Sequence, residues 1–297
     1  MHSGQASFIL CINKVIPQHY HIERGMREMA KHWETISIME DHDDFYSMEV
    51  EVLQGFDFTH EKLIEDYYMT LCTFSKMDDF MKKHNLVHIG EGHFGEVFGL
   101  NDQLVIKLLH NRGEEMPDGY ILSLLSDSNM TPNVYAYSDH LDQGFMIVDK
   151  VVGFNICDAM SSAPATLEFD LDRQLDRIAK FFEECKRAEV MPADLHQANV
   201  MCDYNGNLMV VDVGCFEYGC FDPNSIETMW AYENAKWQML SIAHQMDHVI
   251  NKTPLKHIPD YIPQYLRWET ETHGDFKGEV IKFLSEFEDH DKVGLPL

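Results

Sequence analysis

Basic residues are scarce. The chain has 297 residues, with 23 Lys and Arg against 50 Asp and Glu, for a net charge of −27. Phosphate backbones and anionic bilayers are held by Lys and Arg, so this balance argues against direct nucleic-acid binding and against membrane attachment. It favours basic protein partners or basic substrate segments. Long apolar runs are lacking too, and none reaches the ~18 residues that a membrane span needs. The opening MHSGQASFILCINKVIPQ has no basic stretch ahead of a clean apolar core, so no export signal is expected. Cysteine is unpatterned: seven residues, an odd number, never in C-x-x-C spacing. That argues against a disulfide framework or a zinc site and points to reduced thiols in a cytoplasmic protein. There is no internal repeat and no low-complexity tract.

What is present suits a globular chain with a sizeable core, since 45% of residues are apolar. Residues 1–85 carry no motif tied to chemistry and read as an α+β extension packed on the remainder of the chain. Ser7 to Ile16 reads as a strand. Ile22 to Met39 has the apolar spacing of a helix, and Met48 to Leu53 alternates as a strand does. Phe58 to His84 reads as a helix or helix pair with Leu63, Tyr67, Leu71, Phe74, Phe80 and Met81 inward. The run Glu40, Asp41, Asp43, Asp44 reads as a solvated loop.

From Leu86 the pattern changes to strand, glycine-rich turn, strand. Gly90, Glu91, Gly92, His93 and Gly95 form the turn, and Val97 completes G-x-G-x-x-G-x-V. Glycines let backbone approach phosphates, and Val97 offers an apolar lid to a base. A dinucleotide fold would need a helix directly after the glycines, whereas the residues here predict a hairpin. The next strand ends at Lys107, 12 residues beyond Gly95. A lysine there reaches α/β-phosphates, although alone it reads equally as a snorkelling strand-end residue. Asp118 opens the following helix and is placed to pair with Lys107. Glu114 and Glu115 are alternatives, and all three also suit a helix N-terminus. Two further strands lead to Asp149-Lys-Val-Val-Gly153, a connector whose backbone, at Asp149 and Val151, is placed to pair with an adenine edge. Leu171 to Glu189 reads as an amphipathic helix with Leu175, Ile178, Ala179, Phe182 and Cys185 inward. Asn224 or Ser225 caps a long helix running to about Ile250, and a last helix is expected near 278–288.

The chemistry concentrates in Met191 to Gly214. Asp194, Asn199 and Asp212 stand in fixed order, in a loop and at the end of the second of two short apolar runs. Asp194 is placed to take the proton of an attacking hydroxyl, and Asn199 and Asp212 to hold Mg2+ against the phosphates of ATP.

These parts, in this order, resemble the protein kinase superfamily: the glycine turn, Val-Ile-Lys107, Asp194-x4-Asn199 and Asp212-x-Gly214, with a 13-residue step from Asn199 to Asp212. The resemblance implies a bilobal α+β fold. A small antiparallel β lobe would span 86–152 and a larger helical lobe 153–297. It implies that the glycine turn covers ATP, that Lys107 contacts phosphates, that Asp194 is the catalytic base, and that Asn199 and Asp212 bind magnesium. Asp194-Leu-His-Gln-Ala-Asn-Val-Met201, Thr131-Pro-Asn-Val-Tyr135 and Asp118-Gly-Tyr120 are also similar to stretches of the early serine/threonine kinases of T7-like bacteriophages. That likeness implies phosphorylation of host proteins in the host cytoplasm.

The departures carry information. His-Arg-Asp is Pro192-Ala193-Asp194 here, which removes the arginine that would hold a phosphorylated activation loop. His196 stands where protein kinases carry a lysine, as in small-molecule kinases resembling aminoglycoside phosphotransferases, and is expected to be catalytic. No Ala-Pro-Glu follows Gly214. An active serine/threonine kinase is the first expectation. A small-molecule kinase and a catalytically weak, acidic binding module stay open beside it.

Overall fold

Met48-Glu-Val-Glu-Val-Leu53 puts Met48, Val50 and Val52 on one side and the glutamates on the other, and it forms strand β2 (Met48–Leu53) as expected. The computed structural model describes residues 33–38, 48–72, 76–92, 95–109, 118–138, 144–222 and 225–253. All of them belong to one compact unit that begins at Trp33. The strand expected over 7–16, the acidic loop at 40–44, the side chains of Leu71 and Phe74, and the last helix at 278–288 lie outside the described residues.

The helix expected over 22–39 is corrected at its end, because Trp33–Ile38 is a strand, β1. Trp33 and Ile36 satisfy a helical i, i+3 spacing. Thr35, Ile36 and Ile38 are β-branched, however, and pairing with β2 from Trp33–Leu53 to Ile38–Met48 decides the matter. The helix pair forms as α1 (Glu61–Cys72) and α2 (Met77–His84). Asn85 stops α2 in the left-handed conformation and donates its N–H to the Lys82 carbonyl.

The glycine turn joins β3 (Val87–Gly92) to β4 (Gly95–Gly99), a hairpin with no helix after it. Next come β5 (Leu104–Leu109), α3 (Asp118–Leu124), β6 (Val134–Ser138) and β7 (Phe145–Asp149). The seven strands make one sheet in the order β1-β2-β6-β7-β5-β4-β3, antiparallel throughout. Side chains alternate across β5. Val105 joins a large core with Tyr137, Met146 and Val148 on one face. Ile106 and Leu108 join Phe98, Phe145 and Ile147 on the other, where Leu63, Ile64, Tyr67 and Phe80 of α1 and α2 cover them. Each such side chain contributes about 1.5–3 kcal/mol by leaving water. Residues 48–84 therefore share a sheet and a core with 87–149.

Beyond the sheet the described chain carries three helices among short strands: β8 (Gly153–Asn155), α4 (Ile156–Ser162), α5 (Leu171–Arg187), β9 (Val190–Met191), β10 (Val200–Asp203), β11 (Leu208–Val210), β12 (Glu217–Tyr218) and α6 (Ile226–Asn251). Asp170 caps α5 by accepting the Arg173 N–H, and Ser225 caps α6 by accepting that of Thr228. On α5, Ile178, Phe182 and Cys185 are buried as expected, while Ala179 faces solvent and Phe181 takes the inward place. The ladders β11-β10-β8 and β12-β9 are short. The described chain is an α+β fold built on a large antiparallel sheet. None of its helices is long and apolar enough to cross a membrane.

Candidate active site

Lys107 and Val97 are cross-strand partners on β5 and β4, so their side chains share one face of the sheet. Lys107 is 5% exposed. Its Nζ donates to Asp118 Oδ2 at 2.7 Å and to Asp212 Oδ1 at 2.9 Å. Burial works against the ammonium's charge, but the two carboxylates outweigh it and hold its pKa above the ordinary lysine value. Asp118 opens α3 and is fully buried. It is thus the acid that takes Lys107, while Glu114 and Glu115 lie outside the described residues. Lys107 and Asp118 thus form a buried ion pair, with the partly exposed Asp212 beside it.

The glycines of the turn differ in what they face. A Cβ on Gly92 would lie 3.7 Å from Asp212 Oδ2, so Gly92 sits against the lysine cluster. A Cβ on Gly95 would lie 2.5 Å from the Leu108 carbonyl oxygen, so the β4–β5 approach itself requires glycine there. A Cβ on Gly90 would meet nothing within 4 Å. Glu91 is exposed, Val97 is half-buried against the large core, and His93 lies outside the described residues.

Val190 and Met191 of β9 lead through Pro192 and Ala193 to Asp194, whose φ of 55° is left-handed. Non-glycine residues enter that region at a cost, and here a hydrogen-bonded loop holds it. Asn199 Nδ2 donates to the Asp194 carbonyl at 3.0 Å and to its Oδ2 at 3.1 Å. The His196 N–H donates to the same carbonyl at 2.9 Å. His196 Nδ1 accepts the Ala198 N–H at 3.1 Å, which leaves the neutral ring's hydrogen on Nε2, 3.5 Å from Asp194 Oδ2. Leu195 is buried beneath the loop, while the Asp194 and His196 side chains are about half exposed, at 47% and 51%. Gln197 donates to Gln245 of α6 at 2.7 Å.

The Val211 N–H donates to the Asn199 carbonyl at 2.9 Å, tying the loop to the residue before Asp212. Asp212 Oδ1 also accepts the Gly214 N–H at 3.0 Å. The structure thus gathers Lys107, Asp118, Asp212 and Gly92, and holds Asp194, His196 and Asn199 on the adjoining loop. With its Nδ2 spent on Asp194, Asn199 offers Oδ1 as its remaining acceptor. Asn199 and Asp212 supply hard oxygen donors of the kind that suit magnesium. No group of three or more His, Cys, Asp or Glu able to hold a metal occurs among the described residues.

Asp149 serves the fold with most of its groups. Its carboxylate accepts Asn133 N and Nδ2 and the Tyr135 hydroxyl, and its N–H donates to the Asn133 carbonyl. Pairing with an adenine edge can rest only on its carbonyl and on the half-buried Val151. Burial, then the Asp149 bond, push the Tyr135 phenol up to about 12.

Sequence reasoning missed Gly119. A Cβ there would lie 2.4 Å from Tyr137 Cβ, so this glycine lets α3 lie against β6. Its signal was a poor helix former inside the first turn of a helix. The Tyr120–Tyr218 and Gln197–Gln245 contacts left no trace in the sequence. No family model matches the chain, and no curated protein matches its sequence.

Proposed function

We propose that the chain is an ATP- and magnesium-dependent phosphotransferase with a bilobal, protein-kinase-like fold, acting on serine and threonine hydroxyls of protein substrates. The observation that carries this reading is the buried Lys107 between Asp118 and Asp212, beneath Gly92. A buried ammonium shared by two acids has no packing purpose that an apolar residue would not serve at lower cost. The antiparallel run β3-β4-β5-β7-β6 and the helices α4, α5 and α6 that follow it support a two-lobe reading.

Bound ATP with magnesium would supply the transferable phosphoryl group and neutralise its charge. The chain's own residues position and receive. Lys107 offers fixed positive charge to phosphate oxygens without having to order a flexible side chain. Asn199 and Asp212 would hold the metal. Asp194, exposed and hydrogen-bonded by Asn199, would accept the proton of the incoming hydroxyl. His196 Nε2 stands 3.5 Å from the same carboxylate and would help to orient it. The charge of −27 favours acceptor sites in basic segments, and the bacteriophage likeness names host proteins as the pool.

A small-molecule acceptor is the second reading. It is favoured by how soon the chain after Gly214 is pinned down again, with Glu217 and Tyr218 already paired to β9. The test is incubation with γ-labelled ATP and magnesium, with and without cell extract, beside Asp212→Ala. Label in extract proteins that vanishes in the variant is expected. Label confined to small molecules selects the second reading, and the absence of nucleotide binding sinks both.

A further inference from the structure

Asp118 reaches Lys107 because α3 lies close to the sheet, and two neighbouring contacts in its first turn set that seat. On the sheet side, Gly119 leaves room for Tyr137, three of whose side-chain atoms would lie 2.4, 2.5 and 2.7 Å from an added Cβ. The next residue, Tyr120, meets Tyr218 edge to face, with ring centroids 5.3 Å apart and planes at 88°. Both rings pack against the large core. Tyr218 belongs to β12 and pairs with Val190 of β9, while the Gly219 N–H donates to the Glu189 carbonyl at 2.8 Å. Shortly beyond β9 the chain reaches Asp194. One path of packed side chains and paired backbone therefore runs from the lysine pair to the Asp194 loop. The segment from Gly214 to Asp222 contains no serine or threonine. Its order comes from packing and backbone pairing, with no phosphorylatable aliphatic hydroxyl to change it.

We propose that Tyr218 is a positioning residue, whose ring contact with Tyr120 seats α3 so that Asp118 keeps Lys107, and which joins that pair through β12 and β9 to the loop bearing Asp194. Its consequence for rate rests on the phosphotransferase reading, whereas its consequence for Lys107 does not. An edge-to-face pair of this kind shifts a two-position equilibrium by up to roughly tenfold.

The test uses the intact protein and cyanate, which carbamoylates uncharged, accessible amines, with peptide mass spectrometry reporting each lysine. Lys62, whose side chain is 72% exposed, is the internal standard. Tyr218→Ala is expected to speed carbamoylation of Lys107 by roughly tenfold relative to Lys62, and Tyr120→Ala to do the same. Tyr218→Phe, which keeps the ring, should hold the wild-type rate. In an Asp118→Asn background, Tyr218→Ala should add nothing, because the contact it seats is already gone. If Tyr218→Ala melts below the assay temperature, Tyr120→Leu decides by the same ratio. An unchanged Lys107-to-Lys62 ratio in a folded variant, or full additivity with Asp118→Asn, overturns the proposal. Cyanate needs no turnover, so a wild-type protein that transfers no phosphate counts against the proposed function alone.

Discussion

Replacing Lys107 with methionine isolates the charge at the centre of the site. Methionine keeps most of the apolar stem and removes the ammonium. The bond it removes joins a lysine that is 5% exposed to an aspartate that is 0% exposed, at 2.7 Å. Breaking one side of a buried pair costs about 3–5 kcal/mol, mostly through the charge left behind. Asp212 adds little to that cost, because its side chain is 32% exposed and water replaces part of what it loses. Asp118→Asn, which leaves the ammonium short of a partner, is expected to cost a similar amount. The double variant Lys107→Met/Asp118→Asn should be no less stable than the worse single variant, a coupling of about 3–5 kcal/mol. Urea unfolding followed by tryptophan fluorescence measures all four proteins, and an unchanged slope confirms that midpoints report stability. A Lys107→Met penalty below about 1 kcal/mol, or a double variant that simply sums the singles, refutes the reasoning. The same single variant should lose phosphate transfer if the proposed function holds, which separates the stability argument from the functional one.

The glycine turn and α1 give two further expected outcomes. Gly95→Ala is expected to destabilise by about 1–3 kcal/mol, since its Cβ would lie 2.5 Å from a backbone oxygen. Gly90→Ala should change stability by less than about 0.5 kcal/mol, and a nucleotide affinity that falls while the melting temperature holds would mark Gly90 as facing the ligand. In α1, burial alone would raise the Asp66 carboxyl, but bonds from Lys83, His84 and Lys62 overcome it and hold the group at about 2. Its folded pKa lies below the unfolded value of ~3.9, so its stabilisation is present above about pH 4 and fades as pH falls toward about 2. Asp66→Asn should therefore flatten the fall of urea midpoints across that window; an identical acid slope in both proteins counts against the network.

The legible parts of this chain are those whose signal is local. Met48 to Leu53 shows its alternation, Leu171 to Arg187 its helical stripe, and the hairpin at Gly92–Gly95 its glycines, because each pattern repeats within a few residues. The residues of the Asp194 loop and Asp212 could be named for the same reason: one short stretch carries them. What stayed hidden depends on residues distant in sequence meeting in space. Trp33–Ile38 looked helical because its partner strand, not its own spacing, decides its conformation. Asp149 read as a connector residue, yet Asn133 and Tyr135, on the far side of a segment, claim its carboxylate.

The role of residues 48–84 lies between these cases, and a signal for it was available. In β5 the residues from Val105 to Leu109 are all buried, and in β7 so are those from Phe145 to Val148. A strand with one wet face alternates, whereas a strand covered on both faces reads as a continuous apolar run. Leu104-Val-Ile-Lys-Leu-Leu109 and Phe145-Met-Ile-Val148 are such runs, interrupted only by Lys107. Each thus demanded a second cover besides the helical core reached by Val105, Met146 and Val148. Phe58 to His84, a long amphipathic segment ahead of the glycine turn, supplies that cover through Leu63, Ile64, Tyr67 and Phe80. The same reasoning singles out Lys107. A charge set inside a run that must be buried on both faces needs buried partners, and the sign of the ammonium requires them to be acids.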